Sequence, residues 1–261
     1  MAARKTRPGG VLLDLDGTVW DDELAPYPGA AKAVTELRDA GLPVRFVTNT
    51  TRLTREALAE LLADRGIPAV ADDVLTATLA GVIWLRENGF RRVAVLLPER
   101  ALPEFDDFEV VEHDPEALIV GDLGPGWTFA VMNKAFRWLS DGAEFLALQR
   151  NRYWKTGGDL VLDAGAFVAA LEYATGREAR LVGKPSPLLF HSAAHVLGLE
   201  PGELAMVGDS LETDIAGAQA AGCPSVLVRT GKFDAEELAV TPAQPGRIID
   251  SIAELPAALE L

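Results

Sequence analysis

The sequence predicts an α/β fold: a doubly wound, parallel-sheet, Rossmann-like core with a second α/β unit inserted into it. Three observations predict this. Short apolar runs alternate with helix-length segments, which implies parallel strands joined by right-handed crossovers. Several apolar runs end abruptly in polar residues, as strands do when they deliver side chains to the edge of an open sheet. A middle block of about a hundred residues restarts the alternation, a length within the ordinary domain range.

Val11–Leu13 is the first strand, running into Asp14-Leu15-Asp16-Gly17-Thr18. Pro28 to Ala40 reads as a helix, with proline near its start and Gly41 just past its end. Val44–Val47 is a second strand, followed by Thr48-Asn49-Thr50-Thr51. Helices are expected over Thr54–Arg65, stopped by Gly66, and over Ala77–Asn88, again followed by glycine. In the middle block, Val93–Leu97, Val110–Val111, Leu118–Val120 and Glu144–Leu148 are strand candidates, and Phe129–Leu139 is a helix. Asn151 to Gly158 is a polar, aromatic loop of hairpin type, and Ala164–Ala174 is a helix ending at Gly176. The last part returns to the first pattern. Leu181–Val182 leads into Gly183-Lys184-Pro185, Leu188–Leu197 is a helix, and Leu204–Val207 is a strand ending in Gly208-Asp209. Thr213–Ala221 is a helix, and Ser225–Val228 and Arg247–Ile249 are strands. The expected division is residues 1–78 and 179–261 for the core and 79–178 for the inserted unit. No internal repeat or low-complexity segment is visible.

Composition excludes several partners. Lys plus Arg number 24 against 39 Asp plus Glu, a net charge of −15. Such a surface repels nucleic acid and anionic membranes, and an anionic substrate needs a locally positive pocket. No apolar run approaches the roughly 20 residues of a membrane span. The N-terminal Arg4, Lys5 and Arg7 are not followed by an uninterrupted apolar segment, so no secretory signal is expected. The single cysteine, Cys223, forbids an intramolecular disulfide and suits a reducing cytoplasm.

Four strand ends carry the candidate chemistry. Asp14 is ionised at neutral pH and is a candidate nucleophile towards phosphorus; a Mg²⁺ ion would remove its repulsion of an anionic substrate. Asp16 is expected on the same face of the extended strand, placed to protonate a leaving oxygen and then to deprotonate water. Gly17 allows a tight turn, and Thr18 is expected to fix it by a local hydrogen bond. An acidic turn is the bland alternative; the apolar run before it and the Gly-Thr after it favour a site. Thr48 and Asn49 suit phosphoryl oxygens, though a Thr/Asn turn that only caps the next helix reads equally well. Lys184, between glycine and proline after an apolar run, suits charge stabilisation. Asp209 suits direct Mg²⁺ ligation. Asp214, near a helix start, suits a supporting position behind the metal or simple helix capping.

These motifs resemble, in order, those of haloacid dehalogenase superfamily phosphatases. The resemblance spans essentially the whole chain: Asp-Leu-Asp-Gly-Thr at 14–18, Thr48, Lys184, and Gly-Asp through Asp214 at 208–214. The long insertion is similar to the α/β C2-type cap of the NagD-like, type II branch. Leu171–Gly176 and Val182–Pro185 are especially similar to the group containing phospholysine/phosphohistidine/pyrophosphate phosphatase. The resemblance implies Asp14 as nucleophile and Asp16 as acid/base. It implies Mg²⁺ held by Asp14, the Asp16 backbone carbonyl and Asp209, and a phosphoryl group bound by Thr48 and Lys184. Asp16 also points away from dehalogenation, because halide leaves unprotonated. Asn151-Arg152-Tyr153-Trp154 resembles the substrate-facing cap loop of pyridoxal phosphate and phosphoglycolate phosphatases; Trp154, in a polar loop with Arg152 and Lys155, makes that trio candidate contacts for an anionic substrate with an organic tail, though a covering role between cap and core reads equally well. Related caps also mediate dimers.

The expected function is therefore Mg²⁺-dependent hydrolysis of a small phosphorylated metabolite through an aspartyl-phosphate, with the cap selecting the substrate. A phosphotransferase or mutase would share every core residue, and a non-catalytic metabolite-binding protein is a third class. His191 and His195, spaced i, i+4, lack a zinc-protease glutamate between them and read as packing or surface residues. His113 reads as a loop residue and Cys223 as a small buried filler. The identity of the substrate is left open.

Overall fold

The computed structural model describes residues 7–156 and 159–261, without the side chains of Lys155 and Thr156. In chain order the strands and helices are β1 (Gly10–Asp14), α1 (Ala30–Asp39), β2 (Val44–Thr48), α2 (Arg55–Asp64), β3 (Val74–Thr76), α3 (Ala77–Glu87), β4 (Arg92–Leu96), β5 (Glu109–Val110), β6 (Ala117–Val120), α4 (Phe129–Ser140), β7 (Glu144–Ala147), β8 (Tyr153–Thr156), β9 (Asp159–Leu162), α5 (Ala164–Thr175), β10 (Arg180–Leu181), α6 (Pro187–Leu197), β11 (Leu204–Gly208), α7 (Ala216–Ala220), β12 (Ser225–Val228), α8 (Ala235–Val240), β13 (Arg247–Ile249) and α9 (Leu255–Ala258). They form two compact units. The first contains the chain up to Thr48, Leu58–Leu75 and Pro185–Leu261; the second contains Asn49–Ala57 and Thr76–Lys184.

The six-stranded sheet has the order β13-β12-β11-β1-β2-β3. Strands β1, β2, β11, β12 and β13 pair in parallel, with Leu13 opposite Val207 and Asp14 opposite Val47. The chain proceeds from β1 outward to β2 and β3, then returns to the other side of β1 as β11. The order therefore reverses between β1 and β11, the position at which open α/β sheets bind ligands beyond their strand C-termini. Strands covered on both faces must be apolar throughout. Val11, Leu12, Leu13, Met206, Val207 and Leu227 are all fully buried. Helix α1 presents Ala30, Ala33, Val34 and Leu37, an i, i+3, i+4, i+7 stripe, to the interior. Arg45, a charged side chain within β2, bonds Asp73, which also holds Arg38.

The second unit carries a five-stranded parallel sheet of order β10-β7-β6-β4-β5. Its core joins Leu118 and Val120 of β6 and Phe145 and Ala147 of β7 to Ala135 and Leu139 of α4 and Val168 and Leu171 of α5. Strands β8 and β9 form an antiparallel hairpin, with Tyr153 opposite Leu162 and Trp154 opposite Val161. Gly157 and Gly158, the end of the expected Asn151–Gly158 loop, lie outside the described residues.

Three expectations about local structure change. Strand β3 and helices α8 and α9 were not expected: each is six residues or fewer, too short for periodicity to rise above its surroundings. Strand β1 ends at Asp14, so Asp16 is not on an extended strand with it. Residues Leu15 to Trp20 instead turn back on themselves, with Val19 and Trp20 N–H both donating to the Leu15 carbonyl. Finally, the helix expected from Thr213 opens as a wide π-type turn, Leu211–Ile215, before α7. Among the described residues, no helix is long and apolar enough to cross a membrane.

Candidate active site

At the reversal of strand order, β1 ends in Asp14 and β11 ends in Gly208, with Asp209 immediately after it. The π-type turn brings Asp214 back to the same place. The turn is capped by Ser210, whose hydroxyl accepts from Thr213 N–H at 3.2 Å, while Ser210 N–H donates to Asp214 Oδ2 at 3.1 Å. Asp14, Asp209 and Asp214 are buried, and one carboxylate oxygen from each lies within 4.8 Å of the others. Three carboxylates this close and this dry are costly without cationic compensation. An all-oxygen, hard donor set fits Mg²⁺ or Ca²⁺ and does not favour softer metals.

The Asp209 carboxylate is held in a cradle of backbone. Lys232 N–H donates to Asp209 Oδ2 at 2.6 Å, and the Thr230 hydroxyl donates to the Gly17 carbonyl at 2.5 Å. Gly17 and Gly231 flank the carboxylate: a Cβ on either would come within 2.0 Å of Asp209 Oδ2, and both residues have positive φ, +88° and +61°. Glycine is required at both positions, for conformation and for space. The Tyr27 phenol lies beside this loop. Burial raises its pKa, the Gly231 backbone opposes the rise, and the negative charge of Asp209 adds to it.

Asp16 sits on the turn, exposed, with its Oδ1 accepting from the buried Trp20 indole N–H at 2.8 Å. Thr18 does not make the expected local bond; its Oγ1 is buried without a hydrogen-bond partner among the described residues. Thr48 ends β2, which neighbours β1, and is buried. In the second unit, Asn49 clamps the Lys184 backbone from both sides. Its Nδ2 donates to the Lys184 carbonyl and its Oδ1 accepts from Lys184 N–H, each at 2.8 Å. Both ends of the Asn49 amide are thus used to hold Lys184, whose residue is itself buried.

Of the hairpin candidates, Arg152 is exposed. Trp154 packs under Arg52, whose guanidinium carbon stands 5.4 Å from the ring centroid. The side chain of Lys155 lies outside the described residues. His191 and His195 are exposed on α6, and Cys223 is buried with its thiol pushed up to about 12 by desolvation. Sequence reading missed Trp20, the Thr230-Gly231-Lys232 loop, Arg52 and Asp122. Position after a strand was the one signal available for the loop; nothing in the local pattern marked the others.

The chain is similar to known proteins in sequence and in fold. Residues 11–110 match the model of the haloacid dehalogenase-like hydrolases, and residues 181–255 match that of HAD-hydrolase-like proteins. The chain is 38% identical over 244 residues to haloacid dehalogenase-like hydrolase domain-containing protein 2 of Bos taurus, covering 93% of this chain and 92% of that one. It is 34% identical over 258 residues to phospholysine phosphohistidine inorganic pyrophosphate phosphatase of Rattus norvegicus, covering 97% and 94%. Among solved structures, NagD from Escherichia coli K-12 superposes with a TM-score of 0.88 at 28% identity, over 95% of this chain and 98% of that one. Glycerol phosphate phosphatase of Mycobacterium tuberculosis, in complex with magnesium, also gives 0.88, at 29% identity over 96% and 77%.

Proposed function

The chain belongs to the haloacid dehalogenase-like hydrolases, as a phosphatase of the NagD-like branch, and from that premise we propose that it is a Mg²⁺-dependent phosphatase of small phosphorylated metabolites. The observation that carries this reading is the convergence of buried Asp14, Asp209 and Asp214 at the reversal of strand order. Asp14 and Asp209, with the backbone carbonyl of Asp16, would hold Mg²⁺, and Asp214 would brace that set. When bound, the ion supplies charge neutralisation between the carboxylates and an anionic substrate.

The chain's own residues then divide the chemistry. An Asp14 oxygen attacks phosphorus, the ester P–O bond breaks, and Asp16 gives its proton to the departing oxygen. In the second half, Asp16 takes a proton from water as that water attacks the aspartyl-phosphate. The P–O bond to Asp14 breaks, inorganic phosphate leaves, and both carboxyls return to their starting states. The Trp20 indole N–H fixes one Asp16 oxygen and so orients the group that must serve both halves. Thr48 and Lys184 bind the transferring phosphoryl, with Asn49 locking the Lys184 backbone. The second unit acts as a cap that selects substrate and excludes water. Exposed Tyr153, Leu160 and Leu162 on the hairpin support a homodimer through that unit, which sedimentation velocity checks. The single, buried cysteine supports a cytoplasmic setting.

p-Nitrophenyl phosphate tests the reading. Hydrolysis should require Mg²⁺, stop with chelator and return on addition of the metal. Asp14→Asn should remove turnover while leaving the far-UV spectrum and thermal melt close to wild type. Metal-dependent hydrolysis retained by Asp14→Asn would sink the nucleophile assignment.

A further inference from the structure

Arg65 stands just past the end of α2, in the same unit as the Asp16 turn, and neither the sequence motifs nor the mechanism uses it. Its backbone N–H donates to the Leu62 carbonyl at 3.1 Å and closes the helix end. Its guanidinium makes two more bonds, both to backbone. Nη1 donates to the Leu61 carbonyl at 3.3 Å, and Nε donates to the Leu24 carbonyl at 2.5 Å, across 41 residues. Three acids, Asp21, Asp22 and Glu23, immediately precede Leu24, yet Arg65 forms no ion pair among the described residues. The guanidinium is committed to holding carbonyl oxygens.

The residue it holds is strained. Leu24 has φ +61°, a left-handed conformation that a branched side chain rarely adopts and that persists only where its surroundings over-determine it. Leu24 N–H donates to the Asp21 carbonyl at 2.9 Å, and Asp21 N–H donates to the Ala25 carbonyl at 3.0 Å. Asp21 Oδ1 accepts from Glu23 N–H and Ala25 N–H, each at 2.9 Å. Arg65 adds the bond that ties this tip to a helix. At the other end of the turn, Trp20 bridges both Pro26 and Asp16 through the backbone, and its buried indole donates to Asp16 Oδ1. Contacts therefore run unbroken from α2 through Arg65, Leu24 and Trp20 to Asp16, all within the first unit. We propose that Arg65 is a positioning residue for the Asp16 proton transfer: it pins the 20–26 turn to the end of α2 and so keeps Trp20 against the Asp16 carboxylate. This inference rests on the phosphatase reading and adds what holds its acid/base in place.

The test compares p-nitrophenyl phosphate with phenyl phosphate in wild type, Arg65→Gln and Arg65→Lys. The two esters carry the same charge, but phenolate is the more basic leaving group and depends more on the proton Asp16 supplies. General acid catalysis is worth about 10²–10⁴-fold, and a loosened acid forfeits part of it. Arg65→Gln should lower the ratio of kcat for phenyl phosphate to kcat for p-nitrophenyl phosphate by about fivefold, with KM for each little changed. Arg65→Lys keeps a cation at the end of α2 but lacks the rigid fork that spans two carbonyls, and should recover part of the ratio; it also decides the matter should the glutamine variant fold poorly. A residue that only caps α2 would shift the melting temperature and leave that ratio alone. Equal loss on both esters, or an unchanged ratio, overturns the assignment. Amide hydrogen exchange reads the pin without turnover: Leu24 and Ala25 N–H should exchange about tenfold faster in Arg65→Gln, with β1 at the wild-type rate. Unchanged exchange at those two amides overturns the proposal. Failure of wild type on both esters counts against the phosphatase reading instead, and failure on phenyl phosphate alone counts against Asp16 as its acid; in either case hydrogen exchange by itself decides whether Arg65 holds the turn.

Discussion

Gly231→Ala should damage the metal site without touching a ligand. Residue 231 has φ +61°, and its Cβ would lie 2.0 Å from Asp209 Oδ2 and 2.5 Å from Gly17 Cα. A left-handed alanine costs about 1–2 kcal/mol before any contact is counted. Relief of the contact requires Asp209 or the loop to move by about 1 Å, since real Cβ contacts essentially never fall below 3.0 Å. Movement also strains the Lys232 N–H bond to the same oxygen, 2.6 Å long. A displacement of about 1 Å in a catalytic group costs on the order of a hundredfold in rate. The expected outcome is a rise of at least tenfold in the Mg²⁺ concentration for half-maximal activity and a much lower rate at saturating metal. Metal titration followed by calorimetry reads the first effect independently of turnover. Wild-type Mg²⁺ affinity in Gly231→Ala would refute the cradle, whatever its activity.

Two other outcomes follow from single contacts. Trp20→Phe removes the donor to Asp16 and should lower kcat about tenfold, more for alkyl phosphates than for p-nitrophenyl phosphate, because poor leaving groups depend on the proton Asp16 supplies; equal loss on both would show that Trp20 only packs. Asp163 caps α5 through Ala164 N–H at 2.7 Å and also accepts from Gln149, yet burial raises its pKa above the ordinary 3.8. The folded chain therefore holds this proton more tightly than the unfolded chain, so the associated stability is complete below 3.8 and is lost as pH rises through the raised value. Asp163→Asn keeps the cap without the charge. Its urea-derived stability relative to wild type should improve from pH 4 to pH 7, whereas Asp163→Ala should lose about 1 kcal/mol or more. Parallel pH profiles for wild type and Asp163→Asn would refute the argument.

Much of the fold was legible because its signals are local. An apolar run followed by Asp-x-Asp-Gly-Thr reads as a buried strand meeting a sheet edge, and β1 has that form. Helices of ten residues or more, such as α1 and α4, carry enough periods to be seen; β3, of three residues, does not. The order of the motifs along the chain led to the expectation that Asp14, Thr48, Lys184 and Asp209 share one chemistry, and of these the structure brings Asp14 and Asp209 together. That order did not show how Asp16 is held, because a turn that folds Trp20 back over four residues leaves no periodic trace.

By itself the sequence determined the α/β class and the acidic strand ends, since burial pattern and carboxylate placement are properties of nearest neighbours along the chain. Tertiary structure alone decided which groups meet. Gly17 and Gly231 enclose Asp209 from segments more than two hundred residues apart, and Asn49 grips Lys184 across 135 residues. Arg52, Asp122 and Trp154 come from three separate loops and strands. Such contacts depend on the paths of crossovers and on shapes a few ångströms across, which no window of sequence contains.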